Sequence, residues 1–204
     1  PETIDDKLIK VVKKNEKICK YFDIPIQHIS DSVLKRMNRK SNSESIELLI
    51  KKLREKIPNV IIRTTVMVGF PGETQEDFEK LCNFVESAKF DKLGAFAYSK
   101  EEGTPAAKLK EQVHPMTKKA RYNKIMEIQQ KVSEENLNKY IGKQLEVLVE
   151  GKTIDGKYYV CRSYMDVPDI DGLIYLNNSK ELKIGDFVKC TIKSSINEYD
   201  LLGE

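Results

Sequence analysis

Residues 63–78 read RTTVMVGFPGETQEDF, and the fold turns on how that stretch divides. Val60–Val68 is a nearly continuous β-branched, apolar run broken by Arg63, Thr64 and Thr65. Such a run suits a strand covered on both faces, as in a parallel sheet. Thr74 and Asp77 then start a helix, and Phe78, Leu81, Cys82 and Val85 follow at i, i+3, i+4, i+7 spacing. Between the two lies GFPGE, where Gly69 and Gly72 allow turn conformations and Pro71 stiffens the bend. The loop fits two readings: a tight connection, or a rim that holds a ligand beyond the carboxyl end of a parallel strand. Its spacing matches neither G-x-x-x-x-G-K nor G-x-G-x-x-G, so a phosphate loop is excluded.

Working outward, residues 4–20 predict a basic amphipathic helix with Leu8, Ile9, Val12 and Ile18 inward. Tyr21–Gln27 (YFDIPIQ) reads as a strand ending at His28, and Ser30 caps a helix that turns Val33, Leu34 and Met37 inward. Ser41 and Glu44 form a capping-box pair opening a helix that buries Ile46, Leu49, Ile50 and Leu53 and ends at Pro58. Phe90–Ser99 is the next strand. Strand, helix, helix, strand, helix, strand is the order of repeated βα units in an α/β fold. One long helix is expected from Pro115 to about Tyr140, with Ile125, Ile128 and Val132 inward, stopped by Gly142. After Gly142 the helical period disappears, and QLEVLVEG, KYYVCRS, LIYL and DFVKCTIKSS read as short strands. They predict a small antiparallel β-barrel of about five strands, of the OB-like kind. The expected division is 1–114, a connecting helix 115–141, and a barrel 142–204.

No apolar run approaches the ~20 residues of a membrane span, and no signal-peptide pattern is present. Four cysteines, Cys19, Cys82, Cys161 and Cys190, show no metal-ligand spacing and read as reduced thiols of a cytoplasmic protein. The first residue is Pro1 rather than Met, so the sequence is expected to be a piece of a longer chain. The formal charge of +3 divides into +6 over residues 1–141 and −3 over 142–204. Gln27 and His28 end a strand of the same sheet, so both are candidates for the rim. Arg63 inside an apolar strand needs an anionic partner, from the protein or from a ligand. Glu73 could accept hydrogen bonds from a ligand, and the glycines let backbone approach one closely.

Three blocks, YFDIPIQHISDSVLKRMNR (21–39), RTTVMVGFPGETQEDF (63–78) and FDKLGAFAYSKEEGTPAA (90–107), resemble the methylthiotransferase family of radical S-adenosylmethionine (SAM) enzymes. The tail resembles that family's TRAM domain. IPIQH and the acidic CRSYMDVPDIDG (161–172) favour the branch that modifies a ribosomal protein over the tRNA-modifying branch. The resemblance implies the C-terminal portion of a radical SAM (partial TIM-like) parallel β/α barrel followed by TRAM. It also implies methylthio transfer to the β-carbon of an aspartate in the twelfth small-subunit ribosomal protein, with an electron donor and the ribosome as further partners. In that chemistry SAM is reduced to a 5′-deoxyadenosyl radical that abstracts hydrogen, sulfur is inserted, and a second SAM gives the methyl.

The family holds two 4Fe-4S clusters, one on a CxxxCxxC motif. Those cysteines are missing from this sequence, so no turnover is expected from it alone. For SAM or substrate the resemblance points to Gln27, His28, Arg63, Val66, Val68, Gly69, Phe70 and Glu73, with Val66 or Val68 flanking the adenine. Tyr164, Asp166, Asp169 and Asp171 would dock a basic ribosomal protein, and the −3 charge of the tail argues against RNA as its ligand. The alternatives are a fragment of a tRNA-modifying relative and a non-enzymatic binding module.

Overall fold

The computed structural model describes Pro1 and residues 3–204. The chain forms two compact units, Pro1–Gln129 and Gln130–Glu204.

In the first unit, β1 (Tyr21–Asp23), β2 (Ile61–Val68) and β3 (Lys92–Ala97) make a parallel sheet in the order β1-β2-β3. The register pairs Asp23 with Arg63 and Arg63 with Lys92, and at the other end Met67 with Phe96 and Val68 with Ala97. Parallel neighbours require crossovers, and helices supply them: α2 (Asp31–Arg36) and α3 (Ser43–Lys56) between β1 and β2, and α4 (Gln75–Ala88) between β2 and β3. Ile62, Val66 and Val68 are buried from one face of β2 into a core shared with Ile50 and Leu53 of α3 and Leu81 and Val85 of α4. Strand alternation therefore turns Arg63, Thr65 and Met67 to the opposite face.

Several boundaries differ from the sequence expectation, each for a local reason. The first helix, α1, spans only Asp6–Lys14; its C-terminal carbonyls at Val12 and Asn15 accept from the Lys20 ammonium. β1 stops at Asp23 because Pro25 has no N–H for the ladder, and pairing resumes only as a single bridge between Gln27 and Val66. The box opening α3 is Asn42 with Ser45, each side chain accepting the other's backbone N–H, rather than Ser41 with Glu44.

Thr74 does cap α4, in a reciprocal box with Asp77. Asp77 has a second task. It also accepts from the hydroxyls of Ser30 and Ser32, at 2.5 and 2.8 Å, so it ties the start of α2 to the start of α4. Ser30 is the residue before α2 but makes no side-chain cap bond there. The last helix, α5 (Pro115–Asn138), runs from the first unit into the second.

The second unit is a closed barrel, β4 (Gln144–Lys152), β5 (Tyr159–Arg162), β6 (Ile174–Leu176), β8 (Leu201–Gly203) and β7 (Phe187–Ser195), in that order round the ring. Every pairing is antiparallel except β6 with β8, which is parallel; in a closed ring of five strands directions cannot alternate throughout, so at least one parallel pair is required. Val147, Val149, Tyr159, Cys161, Ile174, Cys190 and Ile192 fill it. Tyr159, not Tyr158, is the tyrosine that faces inward. A Cβ on Gly203 would collide with the Cys190 sulfur, so only glycine lets β8 close the ring there.

Burial pushes the Asp77 carboxyl up, but hydrogen bonds from Ser30, Thr74 and Ser32 outweigh it and hold the group well below the usual carboxylate range. Its contribution is therefore present above the unfolded value of about 4 and lost as pH falls below it. Asp77→Ala is expected to cost about 2–3 kcal/mol at pH 7 by urea unfolding. The gap between variant and wild type should shrink on acidification.

Candidate functional site

The rim at the carboxyl end of β2 is built from the loop outward. Gly69 and Gly72 both have positive φ, 72° and 82°, where a side chain is strained. Space forbids side chains as well: a Cβ at Gly69 would run into the Lys118 stem, and one at Gly72 into the Arg36 guanidinium, which pairs with Glu111. The Gly72 amide donates to the Glu111 carbonyl at 2.7 Å.

Glu73 turns back under the loop. Its Oε2 accepts from the Gly69 and Phe70 amides, and its Oε1 from Arg121 Nη1 at 2.9 Å. Arg121 also donates to the Glu73 carbonyl at 3.1 Å. Both side chains are buried, 8% exposed for Arg121 and 0% for Glu73. Burial pushes the Glu73 carboxyl up, while Arg121 and the two amides pull it back. Glu73 therefore serves the loop itself rather than a ligand.

His28 is buried beside this pair. Its Nδ1 accepts from the Ser30 amide at 2.9 Å, which leaves the proton on Nε2. Nε2 lies 3.9 Å from Glu73 Oε2 and has no hydrogen-bond partner among the described residues. Burial, countered by Asp77 and reinforced by Arg121, drives the His28 pKa down to about 4. The imidazole is neutral at physiological pH.

The other candidates are placed differently. Gln27 is half-buried at the strand end, with φ 69°, and bridges Val66. The Val66 and Val68 side chains are fully buried in the core beneath the sheet, so they offer no face to an adenine. Phe70 packs edge-on to Tyr98, ring centroids 5.2 Å apart, in a small cluster with Val33 and Met67. Arg63 lies five residues before the end of β2, on the row with Asp23, whose carboxylate is 3.7 Å from its Nε. The protein carboxylate, rather than a ligand at the rim, is the anion beside it.

In the barrel, Asp166 is buried and accepts from the Ser163 amide and hydroxyl at 3.1 and 2.9 Å, and Asp171 accepts from the Val167 amide at 2.9 Å. Asp169 is exposed, with φ 61°, and Tyr164 is half-buried. Of the three aspartates only Asp169 is turned fully to solvent.

Arg121, Lys118 and Tyr98 were missed from sequence. Arg121 had a signal: it sits on the inward stripe of α5, four residues before buried Ile125. Tyr98 Oη, like His28 Nε2, is a buried polar atom with no partner among the described residues, and both lie at strand ends, which suits a rim that receives a polar ligand. Among the described residues no group of three or more His, Cys, Asp or Glu is disposed to hold a metal ion, so these side chains do not fit an iron–sulfur cluster.

Two outcomes check this geometry. Arg121→Met strands a buried carboxylate and is expected to cost about 3–5 kcal/mol in urea unfolding, and the double variant Arg121→Met/Glu73→Gln should recover part of that loss. His28 binds a proton more readily unfolded than folded, so its neutral form loses stability as pH falls from about 6.5 to about 4. That component, on the order of 3 kcal/mol, should vanish in His28→Gln.

Residues 1–85 match the Radical SAM superfamily and residues 141–204 the TRAM domain. The ribosomal protein uS12 methylthiotransferase RimO of Alkaliphilus oremlandii is 61% identical over 205 residues, covering 100% of this chain and 47% of its own length. The proteins of the same name from Lachnoclostridium phytofermentans and Thermoanaerobacter sp. are 49% and 52% identical, each covering 100% of this chain and 46% of its own. The chain thus spans about half the length of the curated relatives it matches. Among solved structures, the radical SAM coproporphyrinogen III oxidase from Escherichia coli superposes on 62% of this chain and 29% of its own, with a TM-score of 0.49 at 21% identity. With a radical SAM segment followed by a TRAM domain, the chain is similar along its whole length to about half of these uS12 methylthiotransferases.

Proposed function

We propose that this chain supplies the SAM-binding rim and the TRAM barrel of an enzyme that adds a methylthio group to the β-carbon of an aspartate in ribosomal protein uS12. The observation that carries the reading is the match of the whole of this chain, at 61% identity, to 47% of a relative of that name. Bound SAM would supply radical initiation and the methyl group. The residues of this chain bind and orient. Gln27, Gly69, Met67 and Tyr98 would hold SAM at the rim. Glu73 and Arg121 keep the loop in place behind them, so that little ordering remains to be done on binding. The two 4Fe-4S clusters and the electron donor belong to the reading of the whole enzyme, and a ribosomal substrate sets its work in the cytoplasm.

The barrel, at −3, suits a basic protein better than a phosphate backbone. Docking would fall to Asp169, Tyr164 and the neighbouring exposed Ile170, with Asp166 and Asp171 shaping the loop that presents them.

Grafting this chain in place of the matching half of the Alkaliphilus oremlandii relative tests the proposal. With uS12, SAM and a one-electron reductant, the chimera should leave one methylthio group on a single aspartate, seen by peptide mass spectrometry. Modification of tRNA with uS12 untouched would transfer the chain to the tRNA-modifying reading.

A further inference from the structure

A lysine beside the rim has no part in the proposed function. Lys118, in the first turn of α5, packs its aliphatic stem against Gly69 and sends its ammonium to the exit of β3. There Nζ donates to the Tyr98 carbonyl at 2.9 Å and lies 4.7 Å from the Tyr98 ring centroid. Those two contacts fix the direction of a side chain that is otherwise among the most mobile. They also leave the ammonium with donor capacity, since Nζ carries three N–H groups. No carboxylate is paired with it among the described residues, and burial lowers its pKa.

The ammonium faces a groove of about 620 Å³ along the carboxyl half of β3, lined by Phe96, Ser99, Lys100, Lys119 and Tyr122 as well. Phe96 is 59% exposed, and β3 pairs only with β2 among the described strands, so the other edge of the groove's floor is open. Three lysines, an exposed aromatic floor and a free strand edge describe a receptor for an extended peptide carrying a carboxylate.

The geometry points to Lys118 as a specificity-determining residue that binds the side-chain carboxylate of the target aspartate, with the peptide lying in the Phe96–Tyr122 groove. The inference rests on the uS12 reading, because that reading makes the target an aspartate. It goes further in assigning which group of this chain tells aspartate from its neutral analogue. An ammonium already fixed by Tyr98 needs no reorganisation to meet the carboxylate. A neutral amide in the same place would leave that charge without a counter-charge and lose the charge-assisted bond.

The test uses this chain and two fluorescent peptides with the sequence of the uS12 segment around the modified residue, one with aspartate and one with asparagine. Wild type is expected to bind the aspartate peptide about tenfold more tightly. Lys118→Met, which keeps the stem against Gly69, should bind both peptides alike, and Lys118→Arg should keep part of the preference. Thermal unfolding of each variant establishes that it is folded, and the comparison of the two peptides on wild type needs no variant at all. Equal binding of both peptides by wild type, or an undiminished preference in Lys118→Met, overturns the assignment and leaves the uS12 reading standing. If Lys118→Met instead weakens SAM in equilibrium dialysis while the peptide preference stays, the carboxylate is the cofactor's and the assignment is likewise overturned. Failure of wild type to bind either peptide or uS12 itself removes the reading beneath it.

Discussion

The buried pair of Glu73 and Arg121 is the constraint on which the rim depends. A carboxylate at 0% exposure is tolerable only if its oxygens are satisfied. Here one oxygen is held by the amides of Gly69 and Phe70 and the other by Arg121 from α5. Such a pair adds little net stability over an apolar alternative, yet either partner alone is costly. Its effect is therefore to enforce an arrangement: β2 must exit into this loop, and α5 must pass where Arg121 can reach it. The tight approaches follow from that. Lys118, one turn before Arg121, comes close enough to Gly69 to exclude a Cβ, and Arg36 does the same at Gly72.

Of the two readings of GFPGE, the geometry directly supports the tight connection, and the ligand rim belongs to the proposed function. The loop's glycines and its glutamate serve the connection, as positive φ values and inward hydrogen bonds show. The rim they create is the end of a parallel sheet, where, under the proposed function, Gln27 and Tyr98 would meet a ligand. Rigidity from inside and ligand binding outside are compatible, because a preformed loop loses less entropy on binding.

Much of this was legible in the sequence where the signal is local. The β2 run, the Thr74–Asp77 box, the inward face of α4 and the change of period after Gly142 all depend on neighbours within a few residues. What was not legible is long-range or directional. Asp77 reads as a helix cap; that Ser30 and Ser32 also reach it, 47 and 45 residues away, is a property of the packed sheet. Val66 and Val68 sit in an apolar run that does not reveal which face meets helices and which meets the rim. Asp166 and Asp171 count as acidic in composition, but their carboxylates bind loop amides, and side-chain direction within a loop has no period to read. Arg121 was the exception, a charge on an apolar stripe whose meaning could have been drawn.

Amide hydrogen exchange at Gly69 and Phe70, in the chain without ligand, tests most directly whether the loop is fixed from inside. Both N–H groups donate to the buried Glu73 carboxylate, so they should exchange only through large-scale opening, as slowly as the central amides of β2. Exchange at the rate of an exposed loop, slowing only when SAM is added, would contradict the account and make the ligand, not Glu73 and Arg121, the element that orders the rim.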